Sequence, residues 1–558
     1  MIMSKQNIRY AFMFVIFVVG ILLFNSWQND QALKAQQTQA KQTVAASAKQ
    51  NDIPAAISAE VNNSINQTST VPLLASVNPD RIITVKTDVM NLKIDRLGGD
   101  IVYLDLPKYP ISLQEQNQGF VLLNEAKDRF YVVQTGLLNE HGPDSNTSGR
   151  QLYAVNHNAQ VMDADESMLN VDLHFRTNNG VDIIKRYIFT RGSYEIRVQY
   201  TITNQSGSVY TVSPFGRIKR TAPIAESTGM FSAMRTYTGG AVKTPETKYK
   251  KISFSDMQKG PFQEDVQGGW AAMVEHYFVS AVVPSPTEKN YYRSEDFGGD
   301  TFGMTFVTAA KNIAPGAQDT IETKIYAGPE IAQELKSIAP GLELTIDYGF
   351  LWFLCQPIFW LLKTMFEVFG NWGVAIILTT VIIKALFYKL SASSYKSMGN
   401  MRKMQPKIEA LKKRYGDDKQ QFSHAMMDLY KKEKVNPLGG CLPILIQIPV
   451  FIALYYVLLE SVELRQAPFM LWIHDLSAKD PYYVLPIVMG ISMFVQQRLN
   501  PAPPDPMQAK VLMFMPLFFT FLFLQFPAGL VLYWVVNNLL SILQQWMIMR
   551  NIEKSSAK

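Results

Sequence analysis

Six apolar segments follow Gly341, at residues 348–369, 372–390, 438–459, 482–498, 511–526 and 530–548. A bilayer offers no water to backbone polar groups, so segments of this length and apolarity can line or cross it only as helices. A further run, FMFVIFVVGILLF at 12–24, follows Lys5 and Arg9 and is trailed by Asn25, Ser26 and Trp27 rather than by the small residues of a cleavage site. Residues 1–27 are therefore expected to be an uncleaved anchor with the N-terminus inside.

Charge then assigns the sides. Lys389–Gly440 holds twelve Lys plus Arg against five Asp plus Glu, which places that loop in the cytoplasm. With the N-terminus inside and the next domain outside, only one span can separate that domain from the basic loop. Residues 346–370, in which Gln356, Trp360, Lys363 and Glu367 recur at helical offsets, are thus expected to lie flat on the outer surface as an interfacial amphipathic helix. The acidic loop with Glu460, Glu463, Asp475 and Asp480 falls outside, and the tail with Arg550, Lys554 and Lys558 falls inside. Six spans result, the anchor plus five within a core at 371–558.

The polar stretches have distinct characters. Residues 28–80, rich in Gln, Ala, Ser, Thr and Asn, have too few large apolar side chains to offset ordering entropy and read as a flexible linker. Residues 81–345 alternate with a period of two. In YEIRVQYTIT, Tyr194, Ile196, Val198, Tyr200 and Ile202 face one way, as in the half-buried strands of a large antiparallel β-sandwich. His141, His157, His174 and His276 share no metal-ligand or nucleophile spacing, and Cys355 and Cys441 fall on opposite sides of the bilayer. Neither an enzyme centre nor a cofactor is implied. Within the cytoplasmic loop, Met401, Met404, Ile408, Leu411 and Tyr415, then Phe422, Ala425 or Met426, and Leu429, repeat at offsets of three and four. They predict a helical hairpin over 391–435 whose basic outer faces suit ribosomal RNA or anionic lipid headgroups.

The segment TTVIIKALFYKL, 379–390, carries Lys384 six residues before its expected inner end, about 9 Å along a helix. A cation at such depth costs about 2.5–3.5 kcal/mol on insertion scales and calls for a partner or a wet cavity. The downstream spans offer no carboxylate but many amides and hydroxyls: Gln447, Thr520, Gln525, Asn537, Asn538, Ser541, Gln544 and Gln545. Together they predict a hydrophilic groove with a cation free to attract an arriving acidic or polar segment. Val511–Phe526, about 24 Å as a helix, is shorter than the roughly 30 Å hydrocarbon core and would thin the bilayer beside it. The rival reading, a small-solute transporter with an accessory outer domain, predicts internal repeats, and the sequence has none.

NPLGGCLPILIQIPVFIALYYVL at 436–458, SVELRQAPFMLWIHDLSAKDPYY at 461–483 and FPAGLVLYW at 526–534 resemble the YidC/Oxa/Alb family of membrane protein insertases in its Gram-negative form, across essentially the whole chain. The resemblance implies an inner-membrane insertase and chaperone for nascent membrane proteins, acting alone or with the Sec translocon, and a periplasmic β-supersandwich. It also implies contact of the hairpin with the ribosome and the signal recognition particle pathway, and no dealings with DNA. Lys384 stands where arginine is the familiar groove residue, and Thr380, Tyr388, Gln447 and Tyr533 align with groove or core positions.

Overall fold

The computed structural model describes residues 53–54, 81–126, 129–145, 149–223, 236–415, 418–433, 442–500 and 506–556. The anchor expected at 1–27 and nearly all of the 28–80 linker lie outside the described residues. Two compact units emerge, one made of Ala48–Asp347 with Glu460–Glu463, the other built on Tyr348–Leu459 and Leu464–Lys558.

The first unit is a sandwich of a 13-stranded and an 8-stranded sheet among the described residues, almost entirely antiparallel. Two parallel pairings interrupt the pattern, Ile82–Lys86 with Ala159–Val161 and Phe130–Leu138 with Asp144–Ser145. The alternation read from the sequence is present: in Glu195–Asn204 every second residue is buried, and Phe189 pairs with Ile196 while Val181 pairs with Asn204. Val181–Thr190 alternates in the same way, which turns Lys185 inward with Val181, Ile183, Tyr187 and Phe189. Its ammonium crosses to the other sheet and donates to Gly98 O (2.9 Å), Gly99 O (2.9 Å) and Thr135 O (2.8 Å). Beside it, the buried Arg150 pairs with Asp100 at 2.6 Å and Asp144 at 2.7 Å.

The linker expectation needs a correction at one point. Ile53 and Pro54 are both buried, and Ile53 packs with Leu138, Phe215 and Val307. A branched aliphatic residue followed by proline has little backbone freedom left to lose, so even a short apolar pair in a polar stretch can dock.

Glu330 follows the strand Gln318–Pro329 and is buried, with Oε1 lacking a hydrogen-bond partner among the described residues. Burial pushes its carboxyl well above the ordinary glutamate value. A raised carboxyl pKa means the native state holds the proton more tightly, so its stabilising contribution is complete below the unfolded value of about 4.3 and is lost as pH rises through the folded value. Glu330→Gln keeps the shape and cannot ionise. The variant should melt several degrees above the parent at pH 8, with the gap closing toward pH 4, a trend that thermal unfolding followed by circular dichroism across pH would reveal.

The second unit is helical: α1 (Trp352–Phe369), α2 (Trp372–Leu386), α3 (Tyr388–Lys403), α4 (Gln405–Tyr415), α5 (Lys419–Lys432), α6 (Leu442–Glu460), α7 (Val484–Leu499), α8 (Pro506–Phe523) and α9 (Ala528–Ser556). Gly349–Phe369, the stretch expected to lie flat, is the one unbroken helix among the described residues long and apolar enough to cross a membrane. The apolar parts of α7 and α8 are shorter, Val484–Leu499 and Ala509–Phe523. The segment expected as one span over 372–390 instead breaks at Phe387, where α2 and α3 meet at 68°. Where α4 and α5 pack together, Met404, Ile408, Met426 and Tyr430 are buried, with Phe422 and Leu429 packed on them. Here too the sequence expected one helix from Met401, whereas the chain breaks at Met404.

Candidate functional site

Lys384 lies in the last turn of α2, and the register of that helix is fixed from its start. Asn371 Oδ1 accepts from Val374 N at 3.0 Å as the N-cap, and Asn371 Nδ2 donates to Phe469 O at 2.8 Å. Gly373 is required at this entry, because a Cβ there would lie 1.9 Å from the Phe469 ring. Thirteen residues on from the Asn371 cap, Lys384 is placed by the break at Phe387 within one turn of the helix end rather than six residues inside it.

The lysine is 9% exposed and its Nζ donates to Ser541 Oγ at 2.6 Å. Ser541 in turn donates to Asn537 O at 2.7 Å, so its hydroxyl is oriented with a lone pair toward the ammonium. No carboxylate pairs with Lys384 among the described residues. The sequence expected a cation without a resident anion, and the structure adds one neutral acceptor.

Helix α9 supplies two polar ridges. Asn537, Ser541 and Gln544, at offsets of four and three, meet Gln447 (Asn537 Nδ2 to Oε1, 3.5 Å), Lys384, and Tyr388 (Gln544 Nε2 to the carbonyl, 3.2 Å). Asn538 and Gln545, seven apart, face α7: Asn538 donates to Ser492 Oγ at 3.1 Å and Gln545 to Asn500 Oδ1 at 3.0 Å and Leu499 O at 3.3 Å. These groups tie α9 to four other helices through hydrogen bonds, all neutral except that of the Lys384 ammonium, and each is expensive to leave unmade away from water. Gly490 of α7 also leaves room for the Thr520 side chain of α8, for a Cβ there would lie 2.0 Å from Thr520 Oγ1.

The five residues singled out in the sequence are not all brought together. Lys384, Gln447 and Tyr388 share the α9 ridge, and Tyr388 is 47% exposed. Thr380 is buried one turn before Lys384 and donates to its own helix at Ile376 O, 2.7 Å. Tyr533 is only 2% exposed and sits apart in an aromatic group with Phe451 and Trp534, eight residues or about 12 Å along α9 from Ser541. Gln525 is exposed in the turn after α8, and Thr520 bonds Pro516 O within its own helix, so neither joins the seam. Ser492 and Asn500 were not among the residues singled out. The seven-residue offset of their α9 partners was the available signal.

The chain matches two family profiles, one described as the YidC periplasmic domain over residues 82–361 and one as 60Kd inner membrane protein over residues 364–555. It is 48% identical over 558 residues to a protein of Pseudomonas putida (strain W619) named membrane protein insertase YidC, covering 99% of each chain. It is 49% identical over 546 residues to the protein of the same name from Pseudomonas fluorescens (strain SBW25), covering 97% of each. Among solved structures it resembles an active YidC insertase with its first transmembrane domain resolved, at 19% identity and a TM-score of 0.38, covering 84% of this chain and 92% of that one.

Proposed function

The chain belongs to the YidC membrane insertase family, and from that premise we propose that the seam around Lys384 receives the polar tail of a nascent membrane protein during its insertion. The protein is an insertase of the inner membrane with a periplasmic domain, not a catalytic enzyme. One observation carries the proposal: a buried ammonium whose only hydrogen-bond partner, among the described residues, is a neutral hydroxyl. Such a cation is held in place without being neutralised, so an arriving carboxylate gains more from it than from a lysine already paired.

On this reading the client reaches the hairpin first, where Lys407, Lys412, Lys413 and Arg414 give α4 a basic surface. Its tail then enters beside Lys384 while Asn537, Gln447 and Gln544 exchange hydrogen bonds with it in place of water. Its apolar segment leaves sideways into lipid, and burial of that segment drives the step. Thr380 and Tyr388 flank the entry on α2 and α3. Tyr533 positions α9 through its aromatic packing instead of touching the tail. The short apolar helices would thin the bilayer locally and lower the barrier for the polar tail. The core supplies five spans and residues 1–27 the sixth, with both termini cytoplasmic and 346–370 lying along the periplasmic surface. The Sec translocon, the ribosome and the signal recognition particle pathway are the expected partners.

Reconstitution tests this reading. Proteoliposomes containing only this protein should convert an added acidic-tailed single-span client into a protease-protected form, and empty liposomes should not. Equal protection in both would refute the insertase site. Uptake of small solutes without client insertion would favour a transporter.

A further inference from the structure

Ile53 is 8% exposed and Pro54 is buried, within a 28–80 stretch rich in Gln, Ala, Ser, Thr and Asn. The receiving surface spans three neighbouring strands of the larger sheet. Phe215 pairs directly with Val307, and Leu138 pairs with Ser213, two residues from Phe215, so Leu138, Phe215 and Val307 share one face. Gly136, opposite Phe215, makes the platform possible, because a Cβ there would lie 2.4 Å from the Phe215 ring. Arg150 lies over that ring at 5.5 Å from its centroid, which connects the platform to the buried Arg150 and Asp144 pair. All four apolar residues form one closed cluster.

We propose that Ile53–Pro54 is a latch that fastens the N-terminal linker onto the periplasmic sandwich and divides it into two independent arms, 28–52 and 55–80. The occupant of the platform is this chain's own dipeptide. A following proline restricts the backbone of Ile53, so the side chain is presented with less loss of freedom. The latch changes reach. Residues 28–80 could stretch to about 175 Å at 3.3 Å per residue, but with Ile53 fastened the arm from residue 28 spans at most about 85 Å. Whatever holds residues 1–27 therefore holds the sandwich on roughly half the available leash. The inference rests on the docked dipeptide and stands whether or not the Lys384 reading is right.

Hydrogen exchange followed by mass spectrometry on the full-length protein in lipid nanodiscs tests it. In the parent, peptides covering 50–56 should exchange about tenfold or more slowly than those covering 40–47, given the burial of an aliphatic side chain. Ile53→Asp should abolish that difference and raise exchange around Leu138 and Phe215, whereas Ile53→Val should preserve it. Exchange in the parent as fast at 50–56 as at 40–47 would overturn the latch. So would protection at 50–56 unchanged by Ile53→Asp. Because the comparison is internal to one chain, loss of the whole sandwich is recognised by loss of protection in Glu195–Asn204, and Ile53→Ser then replaces the aspartate variant.

Discussion

Lys384→Glu should slow insertion of an acidic-tailed client by about 100-fold while leaving the protein folded and membrane-embedded. A misplaced charge at this depth is worth about 2.5–3.5 kcal/mol, and each 1.4 kcal/mol is a factor of ten, so turning attraction into repulsion accounts for about two decades. Folding is spared because Ser541 keeps its own bond to Asn537 O when the ammonium is removed. Lys384→Arg should stay within about threefold of the parent or exceed it, since a guanidinium keeps the charge and adds a fork of donors suited to a carboxylate. A client whose tail is neutral should respond weakly to either change. Pulse-chase insertion in cells depleted of the endogenous protein and carrying each variant measures all of these rates. If Lys384→Glu and Lys384→Arg behave alike toward acidic tails, charge at residue 384 has no part in insertion.

The second large effect lies in the sandwich. Lys185→Met should lower the stability of the periplasmic domain by about 3–5 kcal/mol, a large share of the 5–15 kcal/mol typical of a folded domain. The methionine fills the space, but Asp100 and Asp144 are then left facing Arg150 alone. Burial lowers the Lys185 pKa, yet three accepting carbonyls at 2.8–2.9 Å suit an ammonium with its three protons rather than a neutral amine with two. Those carbonyls keep other donors after the change, Arg150 Nη2 for Gly98 and Thr135 and the Tyr187 hydroxyl for Gly99. The loss is therefore mainly one of charge balance. Chemical unfolding of full-length protein, read by the protection of Val181–Thr190 in hydrogen exchange, would show it. A midpoint unchanged within error would mean the buried cluster is balanced without the lysine.

These two lysines differ in how plainly the sequence announces them. Lys384 stands out because a single charge interrupts an apolar run, and its α9 partners stand out because Asn537, Ser541 and Gln544 keep helical offsets. Lys185 is announced only by the alternation of VDIIKRYIF, which assigns it to the apolar face, and it was not singled out from the sequence. The bend at Phe387 was not legible, for phenylalanine carries neither the missing donor of proline nor the freedom of glycine, and tertiary packing decides such breaks. Ile53 was hidden for a different reason. Periodicity needs several turns or several strand residues, and a two-residue anchor offers neither. For Tyr533 the sequence left groove or core open, because an aromatic residue near a polar stripe looks the same whether it faces the stripe or a cluster such as that of Phe451 and Trp534. The alternating strands of the sandwich, by contrast, followed directly from which side chains water excludes.

The most direct test of the tail-receiving seam places a photoactivatable residue in the acidic tail of a client arrested midway through insertion, and identifies the peptides of this protein to which it crosslinks. The account predicts adducts on the peptides holding Lys384 and residues 537–545, lost with Lys384→Glu and kept with Lys384→Arg. Adducts confined to the exposed apolar face of α8, at Phe514, Phe518 or Phe521, and insensitive to the charge at residue 384, would contradict it.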